Sequence, residues 1–351
     1  MARPSRSAEI EDAVLQAVST HPRDLVGMVA AQLGLSTARI STQVRALVAE
    51  GYLDKSGSTR PIYALGRNRR FHHVYSRDGL AEDTLWYEHI QPLLRGLSRN
   101  VLDIAHHGVT EMVNNAIEHS EAEQVTVRMD LRDNRLQITV IDNGIGIFRK
   151  ITRALNLPDE RLALLELSKG KFTTDPRNHS GEGVFFTSRM FDNFQIVAGG
   201  LVFDHDEKRE DVLFDDNDAP IRGTGVYMEI DTASTRTVKQ VFDEYSSGPD
   251  DYTFAKTIVP VRLAQVGDEN LVSRSQAKRL LQRVDRFRRV VLDFESVRGI
   301  GQAFADEIFR VFASAHPEVE LVPVHTAPEI QQMIRRAEVA REENQDQLPL
   351  L

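Results

Sequence analysis

The pattern of apolar and polar positions divides the chain into three blocks. In the first, Ile10, Val14, Leu15 and Val18 recur at helical spacing and predict a helix over residues 8–18. Asp24 is placed to cap a second helix carrying Leu25, Val26, Met28, Val29 and Leu33, and Gly34 ends it. A turn at Leu35 and Ser36 leads into a third helix over 37–50, which buries Ile40, Val44, Leu47 and Val48 and is closed by Gly51. Apolar stretches at 52–53 and 62–65 flank polar residues 54–61 and predict a short hairpin. Beyond it, residues 80–83 and 86–97 read as helix interrupted at Pro92, with Trp86 and Tyr87 as an aromatic pair expected to pack domains together.

The second block begins with a helix over 109–120, whose stripe is Val109, Met112, Val113, Ala116 and Ile117. Strands follow at 124–130 and 136–141, the second running into Asp142-Asn143-Gly144-Ile145-Gly146-Ile147. A basic, glycine-ended polar stretch over 169–183 leads into the apolar run 184–191. Residues 204–218 hold eight acidic and two basic side chains between strand-like 195–203 and 212–214, which predicts a hairpin with a solvated tip. In the third block, after a helix over 235–246, strands at 255–265, 290–294 and 319–324 alternate with helices at 274–284, 302–312 and 328–343. That alternation predicts a small α/β layer domain.

Charge changes the picture at one end. The net charge of −9 argues against a protein that coats nucleic acid with its whole surface. Residues 1–70, however, carry ten Lys and Arg against six Asp and Glu, a net of +4 that leaves −13 for the other 281. A basic module on an acidic body directs attention to the third helix, whose exposed side carries Thr37, Arg39, Thr42, Gln43 and Arg45, and to the hairpin with Lys55 and Arg60. Arg67, Arg69 and Arg70 extend the same positive stretch. The chain has no cysteine, which excludes disulfides, thiol chemistry and Cys-ligated zinc. No run approaches the roughly 18 apolar residues that span a bilayer, and the first residues lack a signal-peptide core, so no membrane partner and a cytoplasmic address are expected.

Candidate chemistry lies in the second block. On the helix over 109–120, Glu111 and Asn115 stand one turn apart on the polar side. An amide oxygen is a hard, uncharged ligand suited to magnesium, and a nearby carboxylate can take a proton from water or a hydroxyl. Asp142 at a strand end can accept a hydrogen bond from an exocyclic amine such as that of adenine, and the glycines after it let a flat ligand lie close. The glycine loop that opens the 184–191 helix offers N–H groups to phosphate. His72 and His73 have no companion ligands at metal-site spacing, so no metal is assigned beyond a nucleotide-bound ion.

These pieces, in this order, resemble the GHKL ATPase family. Glu111-x-x-x-Asn115-Ala116-x-x-His119 is similar to its N box, Asp142-x-Gly144-x-Gly146 to its G1 box, and Gly181-Glu182-Gly183 to its G2 box. Gly223-Thr224-Gly225 is similar to the start of its late strand. The resemblance implies ATP and Mg2+ as cofactors, with Asn115 as magnesium ligand, Asp142 on adenine, Gly144 and Gly146 in close approach and Thr224 supporting the base. Lys171, His179, Ser180, Gly181 and Gly183 would surround the phosphates, and Glu111 would be the catalytic base. No phosphoacceptor box of the His-Glu-x-x-x-x-Pro kind accompanies it. The short Asn-Ala-x-x-His helix is most similar to the serine-kinase branch that acts as anti-sigma factors.

The first block resembles a winged helix-turn-helix, which implies DNA as a partner. The last resembles the STAS fold of anti-sigma-factor antagonists through Val290-Val291-Leu292-Asp293-Phe294, but Gly299-Ile300-Gly301-Gln302-Ala303 lacks the hydroxyl that those proteins present for phosphorylation. It implies docking of a protein partner or of a second copy in a homodimer. The expected fold is thus α/β multidomain: a winged helix over 1–68, a helical connector over 69–100, a GHKL α/β sandwich over 101–247, a small STAS-like α/β domain over 252–343 and a loose tail over 344–351. The expected function is an ATP-binding, DNA-binding regulator in which Mg-ATP controls domain arrangement or partner binding. The competing expectation is an anti-sigma-type serine/threonine kinase or ATPase acting on a separate STAS-domain protein.

Overall fold

The computed structural model describes residues 6–172, 181–206, 212–215, 221–248, 251–265 and 270–346. It divides into two compact units, one of Met1–Gly144, Phe191–Phe194 and Gly223–Thr235, the other of Ile145–Met190, Gln195–Arg222 and Arg236–Leu351.

The first unit opens with α1 (Arg6–Ala17), α2 (Leu25–Leu33) and α3 (Thr37–Ala49). Their apolar stripes close on one core around Val14, Leu25, Val29, Ile40, Val44 and Leu47, as the spacing predicts. Gly34 ends α2 at φ 64°, where its N–H returns to the carbonyls of Ala30 and Ala31. Ser36 caps α3 by accepting the Arg39 N–H. Strands β1 (Leu53–Ser56) and β2 (Ile62–Leu65) form the expected antiparallel hairpin, with Leu53 opposite Leu65. Three helices and a hairpin in this order make up a winged helix.

The next segment corrects the sequence reading. Instead of starting a helical connector, Arg69–Ser76 forms strand β3, paired antiparallel with β4 (Gln124–Arg132) from Arg69 opposite Leu131 to Ser76 opposite Gln124. Alternation in this stretch is masked by two histidines and two arginines, and only pairing with β4 makes it a strand. Helical turns follow as α4 (Glu82–Thr84), a π turn over Leu85–Ile90 and a 3-10 turn over Gln91–Leu94 that contains Pro92. Trp86 is buried and stacks on His106 with ring centroids 4.8 Å apart, whereas Tyr87 is exposed.

The helix expected over 109–120 is the second half of α5 (Arg99–His119), which begins ten residues earlier. It packs on the sheet formed by β3, β4, β5 (Arg135–Asp142) and, beyond the elements α6 (Ile147–Leu155), α7 (Arg161–Lys169), α8 (Gly183–Met190), β6 (Asn193–Ala198), β7 (Leu201–Asp206) and β8 (Val212–Asp215), β9 (Thr224–Asp231). In the first unit the order is β3-β4-β5-β9 with antiparallel neighbours. Gly108 lets α5 approach closely: a Cβ there would sit 2.6 Å from the Phe191 ring.

In the second unit β7 and β8 are antiparallel, from Leu201 opposite Asp215 to Asp204 opposite Val212, and the acidic tip between them lies outside the described residues. After α9 (Val238–Tyr245), which starts with a capping box of Thr237 and Gln240, β10 (Ser246–Gly248) and β11 (Asp251–Phe254) pair. The chain then alternates: β12 (Lys256–Pro260), α10 (Arg274–Leu281), β13 (Arg289–Asp293), α11 (Gln302–Asp306) continuing through a π turn into α12 (Ala313–Ala315), β14 (Glu320–Val324) and α13 (Pro328–Asp346). The three strands form a parallel sheet in the order β12-β13-β14. Parallel neighbours require crossovers, which α10 and the α11–α12 run supply.

Candidate nucleotide site and nucleic-acid face

The knot at the end of β5 is built by backbone close approach. Asp142 is buried, and its Oδ1 accepts N–H groups from Gly144 at 2.8 Å and from Thr224, at the start of β9, at 3.2 Å. Burial pushes its carboxyl above the ordinary value, although those N–H groups pull it down. A Cβ on Gly144 would lie 2.0 Å from the Ser120 carbonyl oxygen, and one on Gly223 2.2 Å from the Asp142 carbonyl. Gly223 also sits at φ 89°, so glycine is required there on two grounds. Between them, Asn143 Oδ1 accepts the N–H groups of Glu123 and Gln124 and fixes the start of β4.

Because Ser120 is the residue after α5, the contact with Gly144 ties the end of that helix to the Asp142 turn. Asn115 and Glu111, both half-buried, lie on α5 five and nine residues before Ser120, about 7.5 and 13.5 Å back along the axis. The structure therefore brings Asp142, Gly144, Gly223 and Thr224 together and places Asn115 and Glu111 on the helix that abuts them. Gly146, at φ 86°, precedes α6 in the second unit.

Of the expected phosphate ligands, His179 and Ser180 lie outside the described residues. Gly181, at φ 73°, accepts the Phe172 N–H through its carbonyl at 3.1 Å, and a Cβ on it would strike the Phe172 backbone at 2.3 Å. Gly183 opens α8. The Lys171 ammonium donates to the Arg286 carbonyl at 3.0 Å and stands 4.7 Å from the centroid of the Phe287 ring.

On the candidate nucleic-acid face, Thr37, Arg39, Thr42 and Arg45 of α3 and Lys55 and Arg60 of the hairpin are exposed. Arg45 folds back on its helix to Ser41 and Thr42. Gln43 is turned inward, and its amide donates to Glu11 on α1. Arg70, counted by sequence with the basic stretch, is the centre of a polar cluster instead. Its guanidinium donates to Glu11 at 2.8 Å, to Asp130 on β4 at 3.1 Å and to the Tyr52 hydroxyl at 2.9 Å, and Tyr52 in turn donates to Asp130. His72 lies 2.8 Å from Asp12 of α1.

Sequence reasoning missed the Arg70 cluster because its members are scattered from 11 to 130 and no motif spans them. It also missed Asp293, Glu295 and His325, whose side-chain atoms converge within 4.8 Å at the ends of β13 and β14, with His325 Nδ1 2.8 Å from Asp293 and 3.8 Å from Glu295. Among the described residues no helix is long and apolar enough to cross a membrane.

The fold is that of a multidomain α/β protein, with a helix-on-sheet domain and a small parallel α/β domain. Residues 100–209 match the family described as histidine kinase-, DNA gyrase B-, and HSP90-like ATPase, and residues 276–331 match a STAS-like domain of unknown function. The chain thus carries a GHKL ATPase domain and a STAS-like domain. A solved structure described as an IcIR transcriptional regulator from Alicyclobacillus acidocaldarius is similar over 68% of this chain and 94% of that one, at 16% identity and a TM-score of 0.20, a likeness too low to carry an argument. No curated protein matches the chain.

Proposed function

We propose that this protein is an ATP-responsive regulator in which Mg-ATP at the GHKL domain controls how the winged helix meets DNA and how the STAS-like domain meets a protein partner. The supporting observation is the Arg70 cluster. It fastens α1, the start of the hairpin and β4 to one another, and Gln43 on α3 joins it through Glu11. β4 pairs with β5, where Val125 stands opposite Asp142. A change at the Asp142 turn therefore has a continuous bonded route to the helix that would enter the major groove.

A magnesium nucleotide fits the chemistry of these residues. Asp142 offers a buried acceptor for an adenine amine, with Thr224 beside it, and Asn115 offers a hard oxygen for the ion. The GHKL resemblance would assign Gly181, Gly183 and Lys171 to the phosphates; the Lys171 ammonium is bonded here to the Arg286 carbonyl. Bound Mg-ATP supplies binding energy and a transferable phosphoryl group. Glu111, one turn from Asn115, would orient water or an acceptor hydroxyl. The kinase reading of the anti-sigma branch shares these residues, but its in-chain acceptor is missing from 299–303.

The test is a band shift on DNA from the protein's own promoter region with Mg-ATP, Mg-ADP or no nucleotide. ATP must bind two domain arrangements unequally to act at all, and such coupling is typically 5- to 150-fold in affinity. We expect a change in that range, abolished in Asn115→Ala and altered in Glu111→Gln only if hydrolysis resets the state. Equal DNA affinity in all three nucleotide conditions would sink the proposal.

A further inference from the structure

The stretch that leads into the G2 glycines is bonded, residue after residue, to the carboxyl-terminal part of the same compact unit. Lys169, at the end of α7, is fully buried; its ammonium donates to Glu166 at 2.6 Å and to the carbonyls of Arg279 and Gln282, at the end of α10, at 3.2 and 2.9 Å. Its own carbonyl accepts the Thr257 hydroxyl of β12 at 2.8 Å. The Gly170 carbonyl accepts Arg283 Nη2 at 2.9 Å, and Arg283 Nη1 donates to Glu166 at 2.7 Å. Lys171 and Arg286 exchange side-chain-to-carbonyl bonds in both directions. The Arg283 guanidinium stands 5.1 Å from the centroid of the Phe172 ring, and the Phe172 N–H holds Gly181.

From the STAS-like side, Arg283 touches three points of the stretch that leads to the glycines: Glu166, Gly170 and Phe172. It sits at φ 65°, two residues past the end of α10, and is mostly buried. A junction made of apolar side chains would avoid the cost of desolvating these charges, whereas directional bonds fix geometry. We infer that Arg283 is a positioning residue for the nucleotide: through Gly170 and Phe172 it sets the placement of Gly181 to Gly183, and so lets the STAS-like region govern affinity for the phosphates. This rests on the reading that those glycines face the phosphates. It identifies the STAS-like region as the place where a protein ligand would change ATP affinity without entering the nucleotide pocket.

The test uses the full chain with Arg283→Ala, Arg283→Lys and, as a control in the same region, Arg289→Ala, whose partner Glu320 is an exposed cross-strand pair. Two readouts are taken: calorimetric affinity for Mg-ATP and for adenosine, and amide exchange of Phe172 and of residues 181–183 without nucleotide. Arg283→Ala is expected to weaken Mg-ATP at least tenfold, leave adenosine within threefold and speed exchange at Phe172. Arg283→Lys should recover part of both effects, and Arg289→Ala should show neither. Unchanged exchange and unchanged ATP affinity in Arg283→Ala overturn the inference, as does a loss shared equally by ATP and adenosine. If the unmodified protein binds no nucleotide, the nucleotide reading fails; faster exchange in Arg283→Ala would still support the anchoring of the glycines, and unchanged exchange would overturn that too.

Discussion

Asp142→Asn is expected to leave the fold as stable as before while removing nucleotide recognition, and the two effects can be worked separately. Asp142 is 5% exposed and its carboxyl is raised by burial, so the fold favours the protonated form. As pH rises, the unfolded chain gives up this proton first. The folded state is then penalised from the ordinary aspartate value up to the raised one, and the penalty persists at neutral pH. An amide removes that penalty and keeps an oxygen for the N–H groups of Gly144 and Thr224 at 2.8 and 3.2 Å. It gives up the charge-assisted part of those two bonds, about 1 kcal/mol each, and sheds the burial cost that raises the carboxyl, so the two changes oppose each other. The net change in stability is expected within about 1 kcal/mol of zero, or roughly 2–4 °C in melting temperature. A ligand amine, by contrast, loses a hydrogen bond to a carboxylate of about 1.5–3 kcal/mol, a factor of roughly 10 to 150 in Kd. Calorimetric titration with Mg-ATP and a thermal melt on the same preparation measure both. In the unmodified protein, affinity should also fall on acidification at a pH above the ordinary aspartate range, while Asp142→Asn stays flat. A Kd within threefold of the unmodified protein, or a melting point lowered by more than about 8 °C, would refute the reasoning.

Three further outcomes follow from the geometry. Arg70→Ala leaves Glu11 and Asp130 without their shared cation; since these side chains are a fifth to a third exposed, the cost is discounted to about 2 kcal/mol by urea denaturation, and Arg70→Lys should recover little because one ammonium cannot span three partners. Gly144→Ala forces a methyl to 2.0 Å from the Ser120 carbonyl, so it should cost about 3 kcal/mol or prevent soluble expression, with Mg-ATP binding lost in whatever folds. His107 on α5 is pushed down to about 4, first by burial and then by the neighbouring His106. The unfolded chain therefore takes up this proton first as pH falls below about 6.5, and up to about 3 kcal/mol of stability should drain away between there and pH 4, a slope that His107→Gln should flatten in denaturant melts across that range.

Much of the architecture was legible because its causes are local. The stripes of the first three helices, the Gly34 stop, the Ser36 turn and the β12-α10-β13 alternation each depend on neighbours within a few residues. Strand β3 was missed for the opposite reason: its polar residues give no period, and pairing with β4, 48 to 62 positions away, makes it a strand. The start of α5 was missed because Gly108 interrupts the expected pattern, and only the Phe191 ring beneath it explains a glycine inside a helix.

The sequence by itself determined where a carboxylate would end a strand and where glycines would follow it, since a turn of that shape is written in its own residues. Tertiary structure alone decided what the long cations do. Arg70 finds its partners 60, 59 and 18 positions away, and Lys169 and Lys171 end on carbonyls more than a hundred positions on. A flexible cation bonds whichever oxygen the fold brings within reach, and burial, which no short window of sequence contains, determines how strongly it is held.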